Sequence, residues 1–194
     1  MFTHNFHRAP KIVIAEVCVT TATAIIVDPK DRYSVLIADS AKHVRPVLPG
    51  GKVELSDGAD GGAAAAYRCI VREGEEELGV RVRNIRQIGC LSGLSRDIRV
   101  VPASTLTGAV CSPPLNHTLH PESLVRAHYG SPDFIFVGEA LSFSSTSELT
   151  NPRYIDVRTI DEGALSAGHD VILMLYRQMI DRGTDRLQEP SLLG

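Results

Sequence analysis

The densest chemistry in the chain is the run Arg72-Glu73-Gly74-Glu75-Glu76-Glu77-Leu78-Gly79. On a helix, residues three and four apart share a face, so Glu73, Glu76 and Glu77 converge on one patch. Like charges at that spacing repel, by about 0.2–0.5 kcal/mol per pair. The helix macrodipole also disfavours negative charge in a last turn. A bound cation resolves both penalties, and carboxylate oxygens select hard ions such as Mg²⁺, Mn²⁺ or Ca²⁺ over zinc. Arg72, four residues before Glu76, is spaced to clamp a carboxylate and fix its rotamer. A solvated acidic helix end is the plainer reading of this run taken alone. The upstream segment Leu48-Pro49-Gly50-Gly51-Lys52-Val53-Glu54 shifts the balance, because a shaped Pro-Gly-Gly loop ahead of such a helix is a rare combination.

Those residues need a scaffold, and the hydrophobic patterning supplies one. Lys11 to Val27 is rich in Val, Ile and Thr and reads as one long strand, or as two broken near Thr20-Thr21. Asp28 to Asp31 is a turn, and Tyr33 to Asp39 a second strand completing a hairpin. Ser56 to Gly62 reads as a loop, with Asp57 or Asp60 as candidate helix caps. Ala63 to Leu78 predicts a helix opening on four alanines, and Gly79 stands where a left-handed cap belongs. Arg81 to Leu91 and Asp133 to Leu141 predict strands. Glu162 to Arg182 predicts an amphipathic helix with Leu165, Ile172, Leu175, Tyr176, Met179 and Ile180 on its apolar face. Residues 96–132 hold five of the 11 prolines and lose periodicity, which predicts a Pro-rich loop or insertion. Residues 1–10 form an N-terminal extension and 183–194 a polar tail, so one domain accounts for the 194 residues.

At this point the chain is identified as resembling the Nudix hydrolases. Their signature runs Gly, five residues, Glu, seven residues, Arg-Glu, a hydrophobic residue, any residue, Glu-Glu, any residue, Gly, a hydrophobic residue. Gly51 matches the first position, and Arg72-Glu73, Glu76-Glu77, Gly79 and Val80 match the second half. The context Leu48-Pro49-Gly50 and Lys52-Val53-Glu54 is similar as well. The chain departs from the pattern in three ways. Asp57 stands where the family has Glu, fourteen residues rather than seven precede Arg72, and Gly74 replaces the hydrophobic residue at about 1 kcal/mol of helix propensity. Seven extra residues are about two helical turns, so they either extend the helix in register or enlarge the loop.

The resemblance implies an α/β (α+β) fold, an α/β/α sandwich with a mixed central sheet, the loop-helix motif and a C-terminal helix. It implies Mg²⁺-dependent hydrolysis, with Mn²⁺ as a substitute, of a pyrophosphate bond in a nucleoside diphosphate derivative. Glu73, Glu76 and Glu77 would hold the metal with the Gly50 carbonyl, Arg72 would orient the carboxylates, and Glu54 and Gly51 would meet the substrate. The general base stays open between Glu73, Glu139 and Glu148, with Glu139 the best candidate outside the helix. A Nudix-fold protein that binds or senses nucleotide without turnover is the alternative. The resemblance is compatible with a homodimer.

Composition narrows the rest. The net charge of −3 excludes a strongly basic surface for coating nucleic acid. Residues 54–77 alone carry −5, so a slightly basic body surrounds an acidic site. Sixteen Arg against four Lys reads first as genome composition. The set Arg81, Arg83, Arg86, Arg96 and Arg99 reads as a solvated face before it reads as a phosphate entry. His117, His120 and His128 read as surface residues rather than ligands. No stretch approaches the roughly 20 apolar residues of a membrane helix, and the N-terminus lacks an apolar signal core. Cys18, Cys69, Cys90 and Cys111 show no zinc spacing, which predicts reduced thiols in a cytoplasmic protein.

Overall fold

The computed structural model describes residues 13–79, 81–92, 97–116, 118–140 and 142–184. The N-terminal extension, Val80, Arg96, His117 and the tail beyond 184 lie outside the described residues.

Among the described residues, eight strands and two α-helices follow the order β1 (Val13–Asp28), β2 (Asp31–Ser40), β3 (Gly50–Lys52), α1 (Ala63–Leu78), β4 (Arg83–Leu91), β5 (Asp97–Pro102), β6 (Cys111–Ser112), β7 (Leu124–Glu139), β8 (Leu149–Asp156) and α2 (His169–Asp181). The main sheet runs β4-β7-β1-β2-β8, with β3 and β6 added on β1 and β5 on β7. It is mixed, because β1 and β7 are parallel while the other pairs are antiparallel. The region near Thr20 proves to be neither a break nor a regular stretch. β1 is continuous there, and its register against β7 shifts between Val19 and Thr21.

Alternation along the central strands sorts side chains to two helical layers. Ala22, Ala24 and Ile26 of β1, Leu36 and Ala38 of β2 and Phe136 of β7 pack with Ala65, Ala66, Cys69, Ile70 and Leu78 of α1. Ile25, Val27, Val35, Ile37, Ile135 and Val137 face the other way, onto Ile172, Leu173, Tyr176 and Ile180 of α2. Burying each large aliphatic side chain contributes about 1.5–3 kcal/mol, so the two layers fix the sandwich.

Two expectations are corrected here. The Pro-rich segment is largely structured. It contributes β5, a 3-10 turn at Ala103–Leu106, β6 and the first half of β7. Val17, Val19, Ala103, Leu106, Val125 and Ala127 form a third apolar cluster at that end of the sheet. Proline hid these short strands by ending one of them at Pro102, where no further ladder donor is available. The C-terminal helix starts at His169 rather than Glu162, because Gly163, Ala167 and Gly168 take positive φ (79°, 56° and 69°). The buried face of α2 includes Leu173, whereas Leu175 is exposed.

α1 spans the residues predicted for it, and Gly79 caps it at φ 64°. Its N-cap is Gly62 rather than Asp57 or Asp60. Of the fourteen residues between Asp57 and Arg72, nine (63–71) are helix and five (58–62) are loop, so the insertion is shared between both.

Candidate active site

The loop 46–54 reaches the sheet as β3. Its residues Gly50, Gly51 and Lys52 pair with Thr23, Ala22 and Thr21. Gly50 has φ +145°, and a Cβ there would lie 2.3 Å from the Ala22 carbonyl oxygen. A Cβ on Gly51 would lie 2.0 Å from Glu73 Oε1, so the bare backbone is what lets the loop lie flat on the acidic helix. Gly50 N–H donates to Glu77 Oε2 at 2.8 Å.

Arg72 organises the helix side. Its Nη1 donates to Glu73 Oε1 at 2.9 Å and to Glu76 Oε2 at 3.0 Å. Its Nε and Nη2 meet Asp57 Oδ1 and Oδ2 at 3.2 and 3.0 Å, and Nη2 also reaches the Lys52 carbonyl at 3.2 Å. Asp57 is buried and accepts in addition from Glu54 N–H at 2.9 Å. The shorter carboxylate therefore ties loop to helix across the enlarged spacer. Burial works to lower the Arg72 pKa, but the Asp57 hydrogen bonds and the Glu73 charge outweigh it and hold the guanidinium above its ordinary value.

The three carboxylates differ in environment. Glu77 is 8% exposed, Glu73 is nearly buried and Glu76 is half exposed. Burial pushes the Glu77 carboxyl up to about 8, the Gly50 N–H opposes this, and the charges of Glu73 and Glu148 add to it. Burial also raises Glu73, against the pull of Arg72. Among the described residues no three ligands close into a ready-made metal cage. The arrangement is an open acidic face with Arg72 bridging two of its members.

Glu73, Glu76, Glu77, Gly50, Gly51, Arg72 and Glu54 line one cleft of about 450 Å³. Glu148 lines it too. The loop carrying Glu148 is stapled to the end of α1, where Thr146 Oγ1 donates to the Glu77 carbonyl at 2.8 Å and Ser144 N–H to the Leu78 carbonyl at 3.1 Å. Lys42 pairs with Glu148 at 3.2 Å. Glu139 is not brought there. It accepts from Asn84 Nδ2 at 2.7 Å and lines a separate cavity beside the β1–β2 turn. The ladder explains why: Glu139 lies opposite Val27, whereas Gly50 lies opposite Thr23. Four residues along a strand are about 13 Å.

The far wall of the cleft comes from the structured insertion, through Asp97, Arg99, Thr105 and Tyr129. The Arg99 guanidinium sits 5.7 Å from the Tyr129 ring centre. His169, at the start of α2, completes the floor and accepts from Leu48 N–H through Nδ1 at 2.8 Å. No local sequence signal marks Tyr129 or His169, since each is placed by long-range pairing. Arg81 instead pairs with Glu75 on the surface and Arg86 lines the other cavity. His120 and His128 are engaged separately, with Glu122 N–H and with Glu16.

Residues 19–108 match the NUDIX domain family. Among solved structures, the NUDIX domain of Shewanella oneidensis NrtR, complexed with ADP ribose, is 14% identical, with 90% of this chain and 94% of that chain covered at a TM-score of 0.53. A MutT structure from work on Aliivibrio salmonicida and Vibrio cholerae is 12% identical, with 85% of this chain and 98% of that chain covered at a TM-score of 0.50. No curated protein matches the chain. The fold and the loop-helix motif are those of the NUDIX domain. The chain carries a NUDIX domain over residues 19–108.

The residues present fit the divalent cation such proteins use. The donor set is all oxygen, and a buried carboxylate at Glu77 faces Glu73 across the glycine cradle. Among the described residues no helix is long and apolar enough to cross a membrane.

Proposed function

We propose that the protein hydrolyses a pyrophosphate bond in a nucleoside diphosphate derivative, with Mg²⁺ or Mn²⁺ held by Glu73, Glu76, Glu77 and the Gly50 carbonyl. The observation carrying this reading is the buried Glu77 carboxylate, hydrogen-bonded to Gly50 and set beside Glu73 in a cleft that Glu148 also lines. A bound divalent ion would screen phosphoryl oxygens and acidify water. Arg72 fixes the rotamers of Glu73 and Glu76. Glu148 takes the role of general base in preference to Glu139, because a base must come within hydrogen-bond reach of the attacking water. Glu54 and Gly51 meet the substrate beside the loop. ADP-ribose, which the Shewanella domain binds, is one member of the substrate class. Four free cysteines suit a reducing compartment such as the cytoplasm.

The test is a panel of nucleoside triphosphates, nucleotide sugars, dinucleotides and ADP-ribose, incubated with Mg²⁺ or Mn²⁺ and read for released products. Hydrolysis by wild type and its loss in Glu77→Gln is the expected result. A full panel without turnover overturns it. The bridging of Glu73 and Glu76 by Arg72 favours one second reading, nucleotide binding without turnover. Calorimetric binding of a panel member with no product formed would select it.

A further inference from the structure

The loop that presents Gly50 is held at three consecutive residues. The Pro49 carbonyl accepts from Ala24 N–H at 2.9 Å, and Gly50 N–H donates to Glu77. The third hold comes from the other helical layer, where His169 Nδ1 accepts from Leu48 N–H at 2.8 Å. The turn before α2 adds to it: Arg45 N–H donates to Ser166 Oγ at 3.0 Å and Ser166 N–H to the Pro46 carbonyl at 2.9 Å. The backbone between Arg45 and Gly50 is therefore strung between α2 on one side and α1 on the other.

Leu48 is a buried residue, and a buried amide without an acceptor is costly. An apolar side chain at 169 fills the space but offers no lone pair. A neutral imidazole accepts at one nitrogen only, so acceptance at Nδ1 assigns the ring proton to Nε2. We infer that His169 is a positioning residue that, through this hydrogen bond, couples the C-terminal helix to the Pro-Gly-Gly loop and sets the Gly50–Glu77 contact. Its consequence for cation binding rests on the reading of the cleft given above, whereas its effect on the loop does not.

The experiment uses the full chain and four forms: wild type, His169→Asn, His169→Gln and His169→Leu. Asn places an amide oxygen near the position of Nδ1, whereas Gln places it near Nε2, so only Asn restores the acceptor. Amide hydrogen exchange at Leu48 and Gly50 is measured by NMR without metal, alongside the imidazole ¹⁵N shifts of wild type. The expected result is an unprotonated Nδ1. Exchange at both amides should rise about fivefold to tenfold in the Leu and Gln variants and return toward wild type in the Asn variant. The Mn²⁺ concentration at half saturation, read by electron paramagnetic resonance, should rise in the same order. A protonated Nδ1, or Asn and Leu variants that exchange alike, overturns the inference. If wild type binds no Mn²⁺, the functional reading fails while the exchange data still decide the role of His169.

Discussion

Asp57 and Arg72 form a two-point ion pair across a fourteen-residue spacer, with Nε to Oδ1 at 3.2 Å and Nη2 to Oδ2 at 3.0 Å. The same guanidinium then reaches Glu73 and Glu76. One buried carboxylate in the loop thus sets the geometry of the acidic face, however long the spacer between them. Asp57→Ala strands the Arg72 donors and Glu54 N–H and should lower stability by about 2–3 kcal/mol. Urea unfolding monitored by circular dichroism checks this. An unchanged midpoint would show that the pair is dispensable.

Glu77→Gln removes the buried charge and keeps the volume. Hydrolysis should fall at least about 100-fold, the scale of losing a group that positions charge at the reacting centre. The variant should remain folded. Activity within twofold of wild type would remove Glu77 from the proposed metal site.

The metal-free protein should lose stability as pH rises. Glu77 titrates near its ordinary 4.5 when unfolded and at about 8 when folded. The folded state therefore binds the extra proton between these values, and the contribution is full below 4.5 and lost as pH climbs through 8. Melting temperatures in chelator should decline from pH 5 to pH 8, and added Mg²⁺ should recover more at pH 8 than at pH 5. A shallower decline in Glu77→Gln, the part left by the raised Glu73 carboxyl, is the control. The same decline in that variant would sink the assignment.

Glu148 and Glu139 separate cleanly in a rate assay. Glu148→Gln should lower kcat by about 10²–10⁴-fold, the usual worth of a general base, with little change in Mn²⁺ affinity. Glu139→Gln, in the other cavity, should stay within about twofold. The reverse outcome would restore Glu139.

The adjacent glycines should fail differently. A Cβ at Gly50 meets fixed backbone at a positive φ, so Gly50→Ala should destabilise by about 1–3 kcal/mol. A Cβ at Gly51 meets the end of the Glu73 side chain, which can swing away. Gly51→Ala should leave the melting temperature nearly unchanged and reduce activity about 100-fold, through displacement of Glu73, a proposed metal ligand, by an ångström or so. Equal effects on stability would contradict this division.

Much of the scaffold was legible because its signals are local. Four alanines and the 3.6-residue spacing specify α1, and Gly79 ends it because it accepts a left-handed conformation. The shared face of Glu73, Glu76 and Glu77 follows from the same period. The boundary of α2 was not legible, because the residues before it pack well enough to mimic a helix while Gly163, Ala167 and Gly168 turn the chain. The strands inside 96–132 were hidden for a related reason. β5 and β6 are short, and they pair with β7 and β1 rather than with each other.

The sequence by itself determined which chemistry the chain carries: an oxygen-rich acidic helix behind a glycine loop, with an arginine spaced to clamp it. Only the tertiary structure decided which other groups meet that face. Register along the parallel β1–β7 ladder puts Glu139 about 13 Å from the Gly50 level. The capping of α1 by Ser144 and Thr146 draws Glu148 in. Packing of α2 on the far side of the sheet delivers His169 to Leu48. These are contacts between residues 66 to 121 positions apart, and no local pattern encodes them.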